Sequence, residues 1–367
     1  MLFRSGRPTA ALAGDKLLEL EADLPRLANW FPVFAKNPLP PTLLTVFGRG
    51  ENLRTEAKFR FSAPLPWKFE PWRLATNMIQ DPIVSFTIGQ GIAPLLSQIK
   101  GMPELGLKQM PNQFCTWAQA GTPWQTFITM PVANGSNFIQ KLAPAVPKIV
   151  HEQLGNTTGE ILWASNRAEL RWQGLPFVTP SLRAVHTNSG DFLFFSMFPR
   201  APRTNPPPAE LFAQIAGRNN LVYYDWEITQ ERLHELRQLG TLLSIAKSWP
   251  EAPSTSPTRV WLTKVGPTLG NTITEVTQTA PNELALVRKS HIGLTGFELL
   301  TLTRWLESPA FPWRFEPPPK LRPPGWTNRA GKAFTNKTAR PAGPILAIPQ
   351  GPLPMPPRTN SPASKPR

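Results

Sequence analysis

Cysteine is almost missing from this chain of 367 residues: Cys115 stands alone. An internal disulfide is therefore excluded, and so is any metal site built on several thiolates. Cysteine is among the most buried residue types, so Cys115 is expected to be an inert thiol on a strand. Low cysteine use fits a cytoplasmic or an envelope protein alike. Histidine is also scarce, with His151, His186, His234 and His291 only. No two are close enough to hold a metal from adjacent turns of one helix. No apolar run approaches the ~18 residues that span a membrane as a helix. In the first fifteen residues the apolar core is Ala10-Ala11-Leu12-Ala13, shorter than the ~7 residues of a secretory signal. A Walker loop, a Gly-x-Ser-x-Gly elbow and the kinase motifs are all missing, so those nucleotide and acyl-transfer chemistries lose their usual signatures.

Proline is abundant, at 45 residues, and 13 tryptophans stand against two tyrosines. The net charge of +15 is unevenly spread. Residues 310–367 hold ten of the Lys and Arg residues and one acid, Glu316, so the excess is concentrated there. Fifteen prolines interrupt the same stretch. This composition predicts a disordered tail over 312–367 with polyproline II character. Lys320, Arg322, Arg329, Lys332, Lys337 and Arg340, with Trp326 and Phe334 between them, could bind a nucleic acid or an anionic membrane surface by releasing counterions. The plainer reading is a solubilising extension.

The stretch Asn219 to Leu306 reads as a complete unit of strand, two helices, hairpin and helix. Leu221 to Trp226 is β-branched and aromatic with apolar residues on both faces, which predicts a strand inside a sheet. Thr229 offers an N-cap, and Leu233, Leu236, Gly240 and Leu243 recur at helical spacing, with Arg232, Glu235 and Arg237 turned outward. Ser256-Pro257 opens a second helix, whose inner face is assigned to Val260, Trp261 and Val265. Thr272–Thr279 and Glu283–Lys289 flank Ala280-Pro281-Asn282 as a hairpin. Thr295-x-x-Glu298 is a capping box opening a helix that carries Phe297, Leu299, Leu302, Trp305 and Leu306.

Pieces of this unit recur upstream. Lys16 to Phe34 carries leucines at spacings that predict a helix. Thr42–Phe47 and Leu53–Ser62 follow as a hairpin with Ala57, Phe59 and Phe61 on one face and Glu56, Lys58 and Arg60 on the other. The unit's first strand is missing here, so the chain is expected to be truncated at its N-terminus. Pro82 to Ile88 predicts a strand, followed by a short helix, a hairpin (Gln113–Ala118, Gln125–Pro131) and a helix from Ser136 interrupted by Pro144 and Pro147. Two further hairpins are expected: Glu160–Ala164 with Ala168–Trp172, and Leu182–Thr187 with Asp191–Phe198 around Asn188-Ser189-Gly190. The fold class predicted is α+β, with repeated β-α-(α)-β-β-α units forming antiparallel sheets covered on one side by helices. The domains read as an incomplete unit over 1–75, a second unit with two extra hairpins over 76–203, the complete unit over 204–311, and the tail over 312–367.

Several constellations resemble chemistry without completing it. Glu231, His234 and Glu235 share a helix, but no second set of ligands accompanies them. Ser97–Lys100 and Ser244–Lys247 have the spacing of a serine activated by lysine, without the companion motifs. Gly89-x-Gly91 opens a helix after a strand, but the third glycine of a dinucleotide loop is missing and the sheet reads as antiparallel. Asn134, Asn156 and Asn336 begin glycosylation sequons, which are uninformative without a secretory context. No catalytic, cofactor or metal residue is assigned.

The lay-out is similar to a family of large bacterial proteins of unknown function. The carriers are Asp81-Pro82-Ile83-Val84-Ser85-Phe86-Thr87 leading into Gly91, Asn220 to Trp226, Thr272-Ile273-Thr274-Glu275-Val276, and Leu294-Thr295-Gly296-Phe297-Glu298. The resemblance implies an exported protein and brings no catalytic residues. Three readings follow: a non-enzymatic repeat-built binding or scaffold protein of the cell envelope; an enzyme whose site forms only in three dimensions, from Asp225, Glu227, Glu231 and His234; and tail-mediated binding to a polyanion.

Overall fold

The computed structural model describes residues 15–22, 40–98, 109–120, 125–148, 159–164, 168–174, 178–198, 205–246, 256–308 and 311. Thirteen strands form one antiparallel sheet in the order β1-β2-β3-β13-β12-β11-β4-β5-β6-β10-β9-β8-β7. The first three are β1 (Asp15–Ala22), β2 (Thr42–Arg49) and β3 (Asn52–Arg60). The middle ones are β4 (Ile83–Gln90), β5 (Gln113–Gln119) and β6 (Thr126–Val132). Two hairpins follow, β7 (Glu160–Ala164) with β8 (Glu169–Gln173) and β9 (Ser181–Thr187) with β10 (Gly190–Ser196). The last three are β11 (Leu221–Ile228), β12 (Asn271–Ala280) and β13 (Glu283–Ser290). All five expected hairpins form. They join a single sheet rather than separate ones, because β13 pairs with β3 and β11 pairs with β4.

The expected helix at Lys16–Phe34 is a strand over Asp15–Ala22, paired along its length with β2. Leucines at 17, 18 and 20 suit either period, and the free edge of β2 decides. Residues 23–34 lie outside the described set.

Alternation gives the sheet two different faces. On one, Phe86 and Ile88 of β4, Trp117 of β5, Phe127 of β6, Phe192 and Phe194 of β10, and Tyr224 and Trp226 of β11 make the largest core. Trp117 stacks on Phe127 at 5.3 Å, and Phe127 on Phe194 at 5.7 Å. Cys115 is buried here, as expected, and burial pushes its thiol pKa up. This core is closed by Ala75, Met78 and Ile79 of the connector before β4 and by Leu211 of the short helix α3 (Ala209–Ala213).

The short helix α1 (Ala93–Leu96) follows β4. The opposite face carries the longer helices: α2 (Gly135–Leu142), α4 (Thr229–Ala246), α5 (Pro257–Val265) and α6 (Gly296–Leu306). Phe138 and Ile139 of α2 pack with Val132, Leu170 and Leu193. Leu233 of α4, Leu262 of α5, Leu269 and Leu299 of α6 form a small separate core. The sheet is thus covered on both faces, not on one.

One inner-face assignment is corrected in part. On α5, Leu262 is buried and Val265 packs beside it as expected, while Val260 and Trp261 are exposed. On α6, Leu299 is fully buried and Phe297 and Leu306 are exposed. Helical spacing allowed either neighbour of Val265 on α5, and the surrounding elements selected Leu262. The stretch after Phe311 and the cations Lys320, Arg322, Arg329, Lys332, Lys337 and Arg340 lie outside the described residues.

Candidate functional site

Strand β11 has Tyr223, Asp225 and Glu227 at alternate positions, so all three point toward the α4–α6 face. The central position predicted for β11 is found, between β12 and β4, but this face is polar. Asp225 and Glu227 are 7% and 3% exposed. Asp225 accepts a hydrogen bond from the Thr87 hydroxyl of β4 at 2.6 Å. Glu227 accepts one from the Gly296 N–H at the start of α6, at 2.7 Å. The Thr229 hydroxyl is a further partner of Glu227 and lies 2.7 Å from the Thr272 hydroxyl.

Around this pair sit two guanidiniums, each engaged elsewhere. Arg288 of β13 donates to both oxygens of Glu298 at 2.7 and 2.9 Å, to the Gly293 carbonyl at 3.1 Å and to the Thr274 hydroxyl at 2.9 Å. Glu298 completes the predicted capping box: it accepts from the Thr295 N–H at 2.8 Å, and Thr295 accepts from the Glu298 N–H at 3.2 Å. Arg232 of α4 pairs with Glu235 at 3.2 Å. Both were expected to face outward; they are instead half-buried against each other.

Burial dominates the acid–base behaviour. Desolvation raises Asp225, opposed by the Thr87 hydrogen bond and the two arginines. Desolvation, with repulsion from Asp225, pushes Glu227 up to about 7. Glu235 is raised to about 7 by burial, against the pull of Arg232. An acid pair of this kind can hold and release a proton near neutrality.

Both carboxylates are buried beneath the helices. A hollow of about 630 Å³ lies at the β2–β3 turn, lined by Gly50, Glu51, Asn52, Leu53, Thr268, His291 and Ile292, and neither carboxylate borders it. Of the four candidates for a three-dimensional site, Asp225 and Glu227 come together, whereas Glu231 and His234 are exposed on α4. His234 bonds to Gln238 at 2.8 Å, His186 to Asp191 at 2.6 Å, and His151 lies outside the described residues. Among the described residues no three His, Cys, Asp or Glu side chains gather as a metal site.

The remaining motifs have local explanations. Ser97 donates to the Pro94 carbonyl at 2.8 Å; Lys100 and Lys247 are outside the described residues. Gly89 lies opposite Phe114, and a Cβ there would come within 2.3 Å of that ring. Gly91 has φ +84° and alone turns the chain from β4 into α1. Asn134 caps α2, accepting from the Asn137 N–H at 2.9 Å. Among the described residues no helix is long and apolar enough to cross a membrane.

What sequence reasoning missed is the cationic partner. Arg288 carries no motif and meets Glu298 and Thr274 only through the β12–β13 pairing. The acids were legible: two carboxylates spaced by two on a central strand must share a covered face. Because the capping box fixes α6 beside them, Thr295→Ala is expected to cost about 1 kcal/mol, read as a lower urea midpoint with unchanged slope.

Comparisons with protein-family models, with curated proteins and with solved structures returned no match.

Proposed function

We propose that this chain is a non-enzymatic binding or scaffold protein built on an internally duplicated sheet. The observation that carries the reading is the use made of its buried acids. Glu227 and Glu298 fix a helix to the sheet and Asp225 is tied to the neighbouring strand, each carboxylate holding a structural hydrogen bond.

Support for duplication comes from the order of the elements on either side of the Thr87–Asp225 contact between β4 and β11. Stepping outward from it, Thr87 faces Thr116, then Ile128, Phe195, Leu182 and Leu170. Asp225 faces Thr274, then Arg288, Thr55, Val46 and Leu18. The connection orders match too: α2 follows β6 as α6 follows β13, each starting with a capping residue and a glycine (Asn134-Gly135, Thr295-Gly296). The resemblance to exported bacterial proteins favours a place in the cell envelope.

The test against an enzyme is a panel of chromogenic ester, phosphate and glycoside substrates run with the wild-type chain and Glu227→Gln. No turnover that depends on Glu227 is expected. Turnover abolished by Glu227→Gln in a folded variant would sink the scaffold reading.

A second reading rests on the composition of 312–367. If that stretch binds polyanions, the full chain captures phosphatidylserine vesicles or heparin with affinity falling steeply in salt, and a chain ending at residue 311 does not. Equal capture by the shortened chain removes the tail from the account.

A further inference from the structure

The interface between β11 and the α4–α6 layer encloses more negative than positive charge. Four carboxylates, those of Asp225, Glu227, Glu235 and Glu298, share it with two guanidiniums, those of Arg232 and Arg288. Both guanidiniums are already committed, Arg232 to Glu235 and Arg288 to Glu298. Asp225 and Glu227 are left with neutral donors alone: the hydroxyls of Thr87 and Thr229 and the N–H of Gly296. They stand two residues apart on one strand, under the same helix.

Among the described residues, every other group turned toward Glu227 is neutral or already accounted for, and Arg304 of α6 reaches Gly240 of α4, two turns beyond Leu233. Strand β4 contributes Ser85 and Thr87, and β12 contributes Thr272 and Thr274. Strand β11 itself adds the Tyr223 phenol, which burial keeps protonated. His234 and Glu231 on α4 are exposed.

We propose that the α6 helix is held to the sheet by a proton-dependent latch, in which a proton held on Glu227, beside the Asp225 carboxylate, keeps the Glu227–Gly296 bond buried and its loss loosens the α4–α6 layer. A protonated Glu227 still accepts from Gly296 through one oxygen and carries no net charge. When the proton leaves, two adjacent carboxylates must both be ionised in a covered site with no free cation. That state is relieved by lifting α6 and admitting water. This proposal does not rest on the scaffold reading, since it concerns how the helices dock whatever the sheet binds.

The sign follows from linkage. The docked state binds the proton more tightly than the open state does, because Glu227 sits at about 7 docked against an ordinary 4.5. Docking is therefore firmest below the ordinary carboxylate range. It weakens as pH rises through the docked value, and levels off above it.

The experiment is hydrogen exchange on the full chain at pH 5, 6, 7 and 8, expressed as protection factors so that the intrinsic chemistry of exchange cancels. In the wild type, α6 amides are expected to lose roughly fiftyfold in protection between pH 5 and pH 8. Strands β5 and β6, which carry no acid and no histidine, serve as the internal reference and stay level. Glu227→Gln keeps the acceptor for Gly296 and removes the titration, so its α6 protection is expected to be high and flat. Asp225→Asn relieves the repulsion and shifts the wild-type loss to a lower pH. A wild-type α6 that stays level across the range overturns the latch. So does a Glu227→Gln profile that falls in parallel with the wild type.

Discussion

Arg218→Ala is expected to destabilise the protein by about 3–5 kcal/mol, one of the two largest effects of any single substitution considered. Glu275 of β12 is 1% exposed on the aromatic face, directly opposite Tyr224. Arg218 holds both of its oxygens, at 3.0 and 2.9 Å, and also donates to the Gln214 carbonyl at 3.1 Å. Removing the guanidinium strands a carboxylate between Tyr224 and Val287, where water cannot follow. Removing both charges has a different result. The neighbours are apolar, so Arg218→Met with Glu275→Leu is expected to lie close to wild type, because the cost comes from an unpaired charge rather than from a lost attraction. Urea unfolding of the two variants separates these cases. An Arg218→Ala midpoint within about 1 kcal/mol of wild type would mean that the carboxylate finds another route to water.

The second large effect belongs to Trp117→Ala, expected at about 3–5 kcal/mol. The ring is 1% exposed and packs against Phe127 and Phe194 at 5.3 and 6.2 Å. Its removal opens a cavity that β-strands fixed on both sides cannot close. Trp261→Ala removes the same side chain from α5, where it is 43% exposed, and should change stability by no more than about 0.5 kcal/mol. The pair makes burial, not residue type, the variable under test. Similar losses at both positions would mean that Trp261 is covered in solution.

Local chemistry carried much of the architecture into the sequence. The Asn188-Ser189-Gly190 turn, with Gly190 at φ +109°, and the Thr295–Glu298 capping box each act within a few residues, and both formed as expected. The five hairpins were legible for the same reason. Leu17, Leu18 and Leu20 were not, since a pattern compatible with two periods is resolved by whichever partner is nearby. Trp261 and Leu262 differ by one step around a helix, and only the position of α6 says which is inside. The acids of the buried cluster could be found from their alternate spacing on a central strand. Their surroundings could not: Thr87 reaches Asp225 across 138 residues and Gly296 reaches Glu227 across 69.

The order of the strands also has a consequence for synthesis. Strand β3 finds its second neighbour in β13, and β4 finds its own in β11. Once β10 is made and before β11 follows, the nascent protein is two separate sheets, each with one raw hydrogen-bonding edge facing the other across a gap three strands wide. β11, β12 and β13 then arrive together as a keystone. At roughly 5–20 residues per second, β3 waits on the order of ten to fifty seconds for its partner. During that interval both edges are open to pairing with another nascent chain. Any product interrupted before Ser290 would keep at least one of them open for good.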